Sequence, residues 1–208
     1  MIIVVTLGFE EKFALRAVTR RGAKENDEIV VLMAKDSDER SERAFENFCD
    51  VIEKAFQKIK VSRIDVEVKN FSEATKKLIG EFLARKGNDF VVNLSGGFRL
   101  LGIEVLLAAI LTKVNAKIEL ELENSSAVIE FPIKWIQLDM DEKDKKILAT
   151  LSEGNASLLE ISKRTKLSRV TTWRRINKLI NYGTISYNNS ENKYSITEYG
   201  KIFLSLVK

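Results

Sequence analysis

Histidine is absent from the 208-residue chain, and cysteine occurs only once, as Cys49. An intrachain disulfide needs two cysteines, and the usual zinc sites need clusters of cysteine or histidine. Catalytic triads and pairs that contain histidine are excluded on the same grounds. A metal would have to bind to carboxylates, and a general base would have to be Asp, Glu, Lys or Tyr. We therefore predict neither a metal site nor a bound cofactor.

Long apolar runs are also missing, and none approaches the roughly 20 residues that a bilayer-spanning helix needs. The chain starts with MIIVVTLGFEEKF, in which no basic segment precedes the apolar run, and that run is too short for a signal peptide. Apolar residues nevertheless make up 45% of the chain, enough for a packed core. We expect a cytoplasmic protein that does not associate with membranes.

Residues 1–131 alternate between strand-like and helix-like patterns. The strand-like segments are MIIVVT, EIVVLMA, SRIDVEV, DFVVNL, AKIELEL and SAVIEF. The predicted helices cover residues 9–22, 37–60 (with Ser37 as N-cap), 71–86 and 98–114. This alternation predicts right-handed crossovers and a Rossmann-like, mainly parallel α/β sheet with helices on both faces. The last strand follows a short turn, so we expect it to pair antiparallel at an edge.

Pro132, the only proline, follows the last predicted strand, and the pattern changes after it. We place a linker at residues 132–140 and a second, smaller domain at 141–208. From Asp139 onward the chain has 13 basic and 8 acidic residues, an excess of +5, whereas the first 138 residues have 21 and 22, or −1. The basic excess predicts an anionic partner for the second domain.

The second domain shows the pattern of a winged helix-turn-helix. Helices are predicted at residues 141–154, 157–165 and 169–183, followed by two short strands and a final helix. The third helix buries Thr172, Ile176, Leu179 and Ile180. The residues predicted to bind double-stranded DNA are Ser168, Arg169, Val170, Thr171, Arg174, Arg175 and Lys178, with Asn177 beside them. Trp173 either packs beside the core or lies against sugar and base. Use of this domain for protein contact or dimerisation is the alternative.

The stretch LSGGFR, residues 94–99, lies between a predicted strand and a predicted helix. Glycine N–H groups, a helix N-terminus and the guanidinium of Arg99 together favour an anion. Thr6, Gly8 and Phe9 follow the first strand and are expected beside this loop, because ligands bind at the carboxyl ends of parallel strands. A phosphate with a stackable ring indicates a nucleotide. The alternative is a tight turn in which glycine permits close packing and Arg99 pairs with a carboxylate.

The helix after this loop, LLGIEVLLAAILTKV, is apolar on nearly all sides. Such a helix is either buried within its domain or part of a subunit interface. Winged-helix regulators usually bind two half-sites through two-fold symmetry. We therefore expect a homodimer.

Three stretches carry a resemblance to a known family: VTLGFEEKFALR, NLSGGFRLL and LSRVTTWRRINKLINYGTI. Their order resembles CRISPR-associated transcription regulators that join a CARF (CRISPR-associated Rossmann-fold) sensor to a winged helix, particularly the Csa-type archaeal regulators. The resemblance implies binding of a cyclic oligoadenylate, with cyclic tetra-adenylate expected, across a dimer axis, and action on promoters of CRISPR genes. The implied pocket residues are Thr6, Leu7, Gly8, Phe9, Ser95, Gly96, Gly97, Phe98 and Arg99, with Asp36 and Ser37 as further candidates.

Some CARF domains also cleave their ligand, and Lys12, Ser95 and Arg99 are the residues that could align a ribose 2′-hydroxyl. Because histidine is absent, we expect a sensor without catalytic residues. Two alternatives stay open: a ring nuclease that degrades cyclic oligoadenylate, and a regulator that senses another nucleotide.

Overall fold

The computed structural model describes five ranges of the chain: residues 1–35, 38–56, 58–124, 126–137 and 139–204. The contacts within the chain form two compact units, residues 1–136 and 137–208. The first unit thus includes the start of the predicted linker at 132–140, and Ile133 is buried in its core. No helix within the described ranges combines the length and apolar character needed to cross a membrane.

A six-stranded sheet forms the centre of the first unit. Its strands are β1 (Ile2–Thr6), β2 (Glu28–Ala34), β3 (Lys60–Val66), β4 (Phe90–Asn93), β5 (Ala116–Glu121) and β6 (Val128–Pro132). They lie in the order β3-β2-β1-β4-β5-β6, and all neighbours are parallel except β5 and β6. The predicted Rossmann-like class and the antiparallel edge strand are confirmed. The order reverses between β1 and β4, so this sheet has its topological switch point there.

Helices cover both faces of the sheet. They are α1 (Lys12–Arg21), α2 (Glu39–Ala55), α3 (Phe71–Ala84) and α4 (Arg99–Thr112), and a 3₁₀ turn at Ile133–Trp135 follows β6. Alternate residues of each strand point to opposite faces. Ile3 and Val5 pack with α1 and α2, whereas Val4 packs with α3 and α4. The central strands β1, β2 and β4 are therefore buried on both sides, which explains their continuous apolar runs.

Several predicted boundaries differ from the structure. The N-cap of α2 is Asp38, whose carboxylate accepts the backbone N–H of Ser41 at 3.0 Å; Ser37, predicted as the cap, lies outside the described residues. The helix predicted to reach residue 60 ends at Ala55, because Phe56 adopts an extended backbone. The first helix begins at Lys12 instead of residue 9, which leaves Phe9 in the loop after β1.

Charged residues are buried between α1 and β5. Arg16 Nε lies 2.7 Å from Glu121 Oε1, and Arg21 pairs with Glu119, whose side chain is fully buried. The same carboxylate accepts a hydrogen bond from Asn93 Nδ2 at 3.2 Å. Burying a charge is costly unless it is paired. These ion pairs therefore fix α1 against the end of the sheet where β4 stops.

The loops after β1 and β4 touch backbone to backbone. A Cβ added to Gly96 would lie 2.5 Å from the carbonyl oxygen of Thr6, and one added to Gly8 would lie 2.9 Å from the Cα of Gly97. Gly97 also has a φ of +72°, in the left-handed region that favours glycine. The hydroxyl of Thr6 donates to the Gly96 carbonyl at 2.6 Å. These glycines thus permit the close approach of two loops, as the packing alternative predicted.

The second unit has the element order of a winged helix-turn-helix, as predicted. Its elements are α5 (Glu142–Ser152), α6 (Leu158–Thr165), α7 (Arg169–Asn181), β7 (Ile185–Asn188), β8 (Lys193–Ile196) and α8 (Glu198–Leu204). Ser157 and Glu160 form a capping box at the start of α6. Ile147, Ile161 and Ile176 belong to one apolar core that joins α5, α6 and α7.

Replacing Gly96 with alanine should destabilise the first unit, because the new methyl group would overlap the Thr6 carbonyl oxygen. We expect the free energy of unfolding to fall by about 2 kcal/mol, the usual scale for steric overpacking. Gly80→Ala is the matched control, since a Cβ there meets no atom within 4 Å and lies in the middle of α3. The free energy of unfolding of this control should rise by roughly 0.5–1 kcal/mol. If urea unfolding showed the same change in stability for both variants, the close contact between Gly96 and the Thr6 carbonyl oxygen would be contradicted.

Glu28, at the start of β2, is the centre of a second polar cluster. Its Oε1 atom accepts from Ser62 Oγ at 2.8 Å and from Arg85 Nη2 at 3.1 Å, and Lys60 Nζ lies 3.1 Å away. Burial by itself raises the pKa of Glu28, but the hydrogen bonds from Arg85, Ser62 and Lys60 outweigh it and lower the pKa to about 2.

A lowered pKa means that the ionised carboxylate stabilises the fold above its unfolded pKa of 4.5, and that this stabilisation is lost as pH falls towards 2. Glu28→Gln should therefore reduce the free energy of unfolding by about 2–3 kcal/mol at neutral pH and remove this part of the acid sensitivity. Urea unfolding across that pH range measures it. Glu39→Gln, at an exposed ion pair with Arg43, is the control and should change little. A Glu28→Gln variant as acid-sensitive as the wild type would contradict this role.

Candidate ligand pocket and nucleic-acid interface

The two predicted pocket segments meet at the switch point of the sheet. Leu7, Gly8 and Phe9 line a small cleft together with Gly97 and Phe98. The rings of Phe9 and Phe98 contact each other edge to face, with centroids 6.4 Å apart, and each is nearly half exposed. The structure therefore brings the loops after β1 and β4 together as the sequence predicted, with two aromatic rings at their rim.

Both helices that start at this point lack a side-chain cap. The helices α2, α3, α5, α6 and α7 each have an N-cap Asp, Asn or Ser whose side chain accepts a backbone N–H. The N-cap residues of α1 and α4, Glu11 and Phe98, make no such bond. The first-turn N–H groups of a helix need partners and favour negative charge. Two helix N-termini are thus available to an anion at the switch point.

Arg99 is the first residue of α4, and its side chain is exposed. Within the described ranges it forms no ion pair, so the predicted alternative of a carboxylate partner is not observed there. Arg99 lines two clefts, of about 490 Å³ and 450 Å³. The first is lined by Ala34, Lys35, Glu67, Val68, Lys69, Phe98, Arg99 and Leu100. Arg99 is therefore shared by both clefts.

Ser95 is held in place by the neighbouring strand. Its hydroxyl oxygen accepts the backbone N–H of Glu121 at 2.8 Å, and its own N–H donates to Asn93 Oδ1 at 3.1 Å. Asn93 in turn donates to the buried Glu119. The floor of the pocket is thus connected to the ion pairs beneath α1, a link that spans residues too far apart for sequence patterns to show.

Arg40 was missed by sequence reasoning. It lies in the first turn of α2, and its guanidinium is 5.2 Å from the ring centroid of Phe9. It also lies 3.7 Å from Glu10, which pairs with Lys12. The hydrogen bond and charge of Lys12, followed by the charge of Arg40, lower the pKa of Glu10. Nothing in the spacing of these residues indicates the contact. Asp36 and Ser37, the further candidates, lie outside the described residues.

An apolar surface extends from α4 to the β5–β6 edge. The large apolar side chains that are 39–58% exposed on these elements and the adjoining turn are Leu100, Ile103, Leu111, Leu120, Leu122 and Ile129. The opposite face of α4, including Leu101 and Val105, is buried against the core.

Glu104 on the same helix is also fully buried, and its carboxylate has no hydrogen-bond partner in the described structure. Burial raises the pKa of this carboxyl group.

Helix α7 presents part of the predicted DNA-binding set to solvent. Ser168 caps the helix by accepting the N–H of Thr171 at 3.2 Å. Arg169, Val170 and Arg174 are exposed, and Thr171 is half-buried. Thr172, Ile176 and Leu179 are buried, as predicted, but Ile180 is 37% exposed. Trp173 is 55% exposed, so the indole lies outside the core.

Arg175 and Lys178, also predicted to bind DNA, form ion pairs within the unit. Arg175 Nη2 lies 2.7 Å from Asp141 Oδ2, and Lys178 Nζ lies 2.7 Å from Asp144 Oδ2. Asp144 is fully buried, and Arg175 also contacts it at 3.3 Å. Lys178 donates a further bond to the carbonyl oxygen of Asp139 at 2.6 Å. These two cations therefore hold α7 against the start of α5.

No cluster of His, Cys, Asp or Glu in the described ranges has the arrangement of a metal site. The groups described at the two sites are cations, backbone N–H groups at helix N-termini and exposed apolar or aromatic side chains. Such groups bind anions, stack on bases and contact phosphate.

Comparison with known proteins places each unit. Residues 1–132 match the family model of the Csa3 CRISPR-associated Rossmann-like domain, and residues 140–186 match a winged helix-turn-helix DNA-binding model. The chain is 23% identical over 217 residues to the CRISPR locus-related protein Csa3 of Saccharolobus solfataricus, an alignment that covers 98% of this chain and 87% of that protein. The resemblance stated from the sequence is thus confirmed at the level of the family.

Among solved structures, the chain is similar to protein VC1899 from Vibrio cholerae, at 14% identity and a TM-score of 0.47. Another is Can2 from Sulfobacillus thermosulfidooxidans in complex with cyclic tetra-adenylate, at 10% identity and a TM-score of 0.47. Each comparison covers 98% of this chain but 63% of the other, so the chain spans less than two thirds of those proteins. From its matching domains, the chain belongs to the family with the Csa3 CRISPR-associated Rossmann-like domain, joined here to a DNA-binding winged helix-turn-helix.

Proposed function

We propose that this Csa3-family regulator acts as a homodimer whose first unit senses a cyclic oligoadenylate, specifically cyclic tetra-adenylate, and whose second unit binds promoter DNA of a CRISPR system. The observation that carries the ligand proposal is the pair of uncapped helix N-termini at the switch point, with Arg99 exposed beside them. Ligand binding would bias the arrangement of the dimer and thereby the DNA affinity, an allosteric coupling between two sites.

The charge of the pocket supports a ligand that contains phosphate. A guanidinium offers a planar fork of donors that matches phosphate oxygens, and Arg99 has no ion-pair partner in the described structure that would compete. The N-termini of α1 and α4 add partial positive charge in the same place. Because Gly8, Gly96 and Gly97 are committed to loop packing, we assign the phosphate contacts to these helix ends and to Arg99, and only secondarily to the glycine backbone.

The aromatic rim supports a ligand that also contains bases. Phe9 and Phe98 expose 46% and 47% of their surfaces beside the cleft. Bases stack on aromatic side chains and on guanidinium planes. Arg40, already stacked over Phe9, extends this platform. Adenine rings on one side and phosphates at the helix ends together fit an oligoadenylate better than an inorganic anion.

The apolar surface of α4 and the β5–β6 edge supports a homodimer. Contiguous exposed apolar surface of this kind marks interaction sites. The surface borders the cleft that contains Ser95, Gly96 and Arg99. A two-fold axis along it would bring the two pocket loops of the dimer next to each other, and a cyclic ligand with repeated units has the symmetry to contact both.

We propose that the ligand is bound without being cleaved. Two of the three groups considered for ring cleavage are engaged in internal contacts: Ser95 accepts the N–H of Glu121, and Lys12 pairs with Glu10. Aligning a ribose 2′-hydroxyl for attack needs groups positioned towards the ligand. The chain offers no histidine in their place.

Cyclic tetra-adenylate should bind to the purified protein at one ligand per two chains in titration calorimetry. Arg99→Ala should weaken this binding at least tenfold, because a hydrogen bond to a charged group contributes roughly 1.5–3 kcal/mol. Arg43→Ala removes an exposed guanidinium that pairs with Glu39 on α2, and this control should bind like the wild type. Chromatography of the ligand afterwards should show the intact ring.

Three results would contradict the ligand proposal. Equal loss in both arginine variants would show that the effect is not local to the pocket. Binding of another nucleotide with indifference to cyclic oligoadenylates would favour a different sensor. Linear products that disappear in Ser95→Ala would identify a ring nuclease.

For the second unit, Arg174→Ala should weaken binding to promoter DNA and reduce the salt dependence of the affinity by about one counterion, since each phosphate contact releases roughly one.

Lys178→Ala should instead lower the free energy of unfolding by about 2 kcal/mol, because it leaves the buried Asp144 with one cation fewer. Fluorescence anisotropy over a salt series and urea unfolding separate the two effects. If the salt dependence of DNA affinity fell equally in both variants, Lys178 would be identified as a direct phosphate contact, as the sequence predicted.

A further inference from the structure

Val170 is the most exposed large apolar side chain in the ranges that the structure describes, at 77% of its surface. It lies in the first turn of α7, and Trp173 follows one turn later at 55% exposed. Residues three apart share a helix face, so the two side chains form one apolar pair. Valine is only a moderate helix former, so helix propensity does not explain its presence here. Val170 also lies outside the core of the unit. Neither side chain belongs to the apolar core of the unit, so the core does not account for their apolar character.

The charge around this pair restricts its partner. Helix α7 contains three arginines and one lysine and no acidic residue. Arg174 shares the face of the apolar pair, and Arg169 precedes it. Both are exposed and form no ion pair among the described residues. The partner must therefore be strongly anionic and also present an apolar group within reach of the first turn of the helix.

Double-stranded DNA combines these two properties in its major groove. Phosphates line the groove, and the 5-methyl group of thymine is the apolar group that the base edges offer there. An RNA duplex lacks this methyl group, and its major groove is too narrow for side chains to read. An acidic protein surface also has carboxylates and apolar side chains, but it lacks the regular spacing between charge and apolar group that a DNA duplex has.

Resting on the proposed DNA binding, we propose that Val170 and Trp173 are specificity-determining residues that pack on thymine methyl groups in the major groove. Each half-site of the operator then has thymine where the first turn of α7 lies, next to the position that Arg174 contacts. The apolar pair selects the sequence, whereas the arginines supply affinity that is independent of sequence.

Deoxyuridine tests this proposal, because it differs from thymidine only by the missing methyl group. Preferred sites are first selected from random DNA duplexes with the full chain, and each thymine of the selected site is then replaced by deoxyuridine. We expect one or two replacements per half-site to weaken wild-type binding roughly fourfold each, the factor that burial of one methyl group gives. In Val170→Ser, the replacement facing residue 170 should cause no further loss, since both partners of the contact are then absent.

Ile202→Ser is the control, because it removes an exposed apolar side chain of α8 and should leave the deoxyuridine effect unchanged. Thermal melting confirms that each variant is folded. Specific binding without any deoxyuridine effect, an unchanged effect in Val170→Ser, or equal binding to an RNA duplex of the same sequence would each overturn the inference. Absence of DNA binding altogether would instead overturn the proposed function, so the two failures are distinguishable.

Discussion

The first unit depends on the backbone contact between the loops after β1 and β4. Gly96 lies so close to the Thr6 carbonyl oxygen that no side chain fits between them, and the Thr6 hydroxyl bonds to the Gly96 carbonyl at 2.6 Å. This contact brings the N-termini of two helices to one place, and it pushes Phe9 and Phe98 outwards to the rim. The aromatic rings and Arg99 are exposed, whereas the glycines lie where the two loops touch.

The cations of the chain divide into two groups with different roles. In one group, Arg21 in the first unit and Arg175 in the second bind to carboxylates that are fully buried. Removing either partner of such a pair leaves an uncompensated charge, so these residues stabilise the structure. The second group includes Arg99 and Arg174, which are exposed and form no ion pair in the described ranges. Overall basic composition predicts an anionic partner, but only the structure separates these groups.

The sequence predicted the fold class, the antiparallel edge strand and the winged helix-turn-helix, because apolar periodicity and turn residues encode them locally. It also predicted which two loops meet, since parallel strands end at the same edge. It did not predict that Arg40 lies over Phe9 or that Lys178 binds Asp144, because those contacts join residues about 30 positions apart through tertiary packing. From the sequence, the glycines of LSGGFR could either bind an anion or permit close packing. The choice depends on whether another backbone segment lies against them, which a local pattern does not show. The burial of Trp173 was also left open by the sequence. A residue between the buried and exposed faces of a helix is covered only if tertiary packing places another element beside it.

The bond from Lys178 to the Asp139 carbonyl has a mechanical consequence. Lys178 holds both this carbonyl, at the end of the connecting segment, and Asp144 in the first turn of α5. The residues just before α5 are therefore fastened to α7 by a side chain as well as by the backbone of the intervening helices.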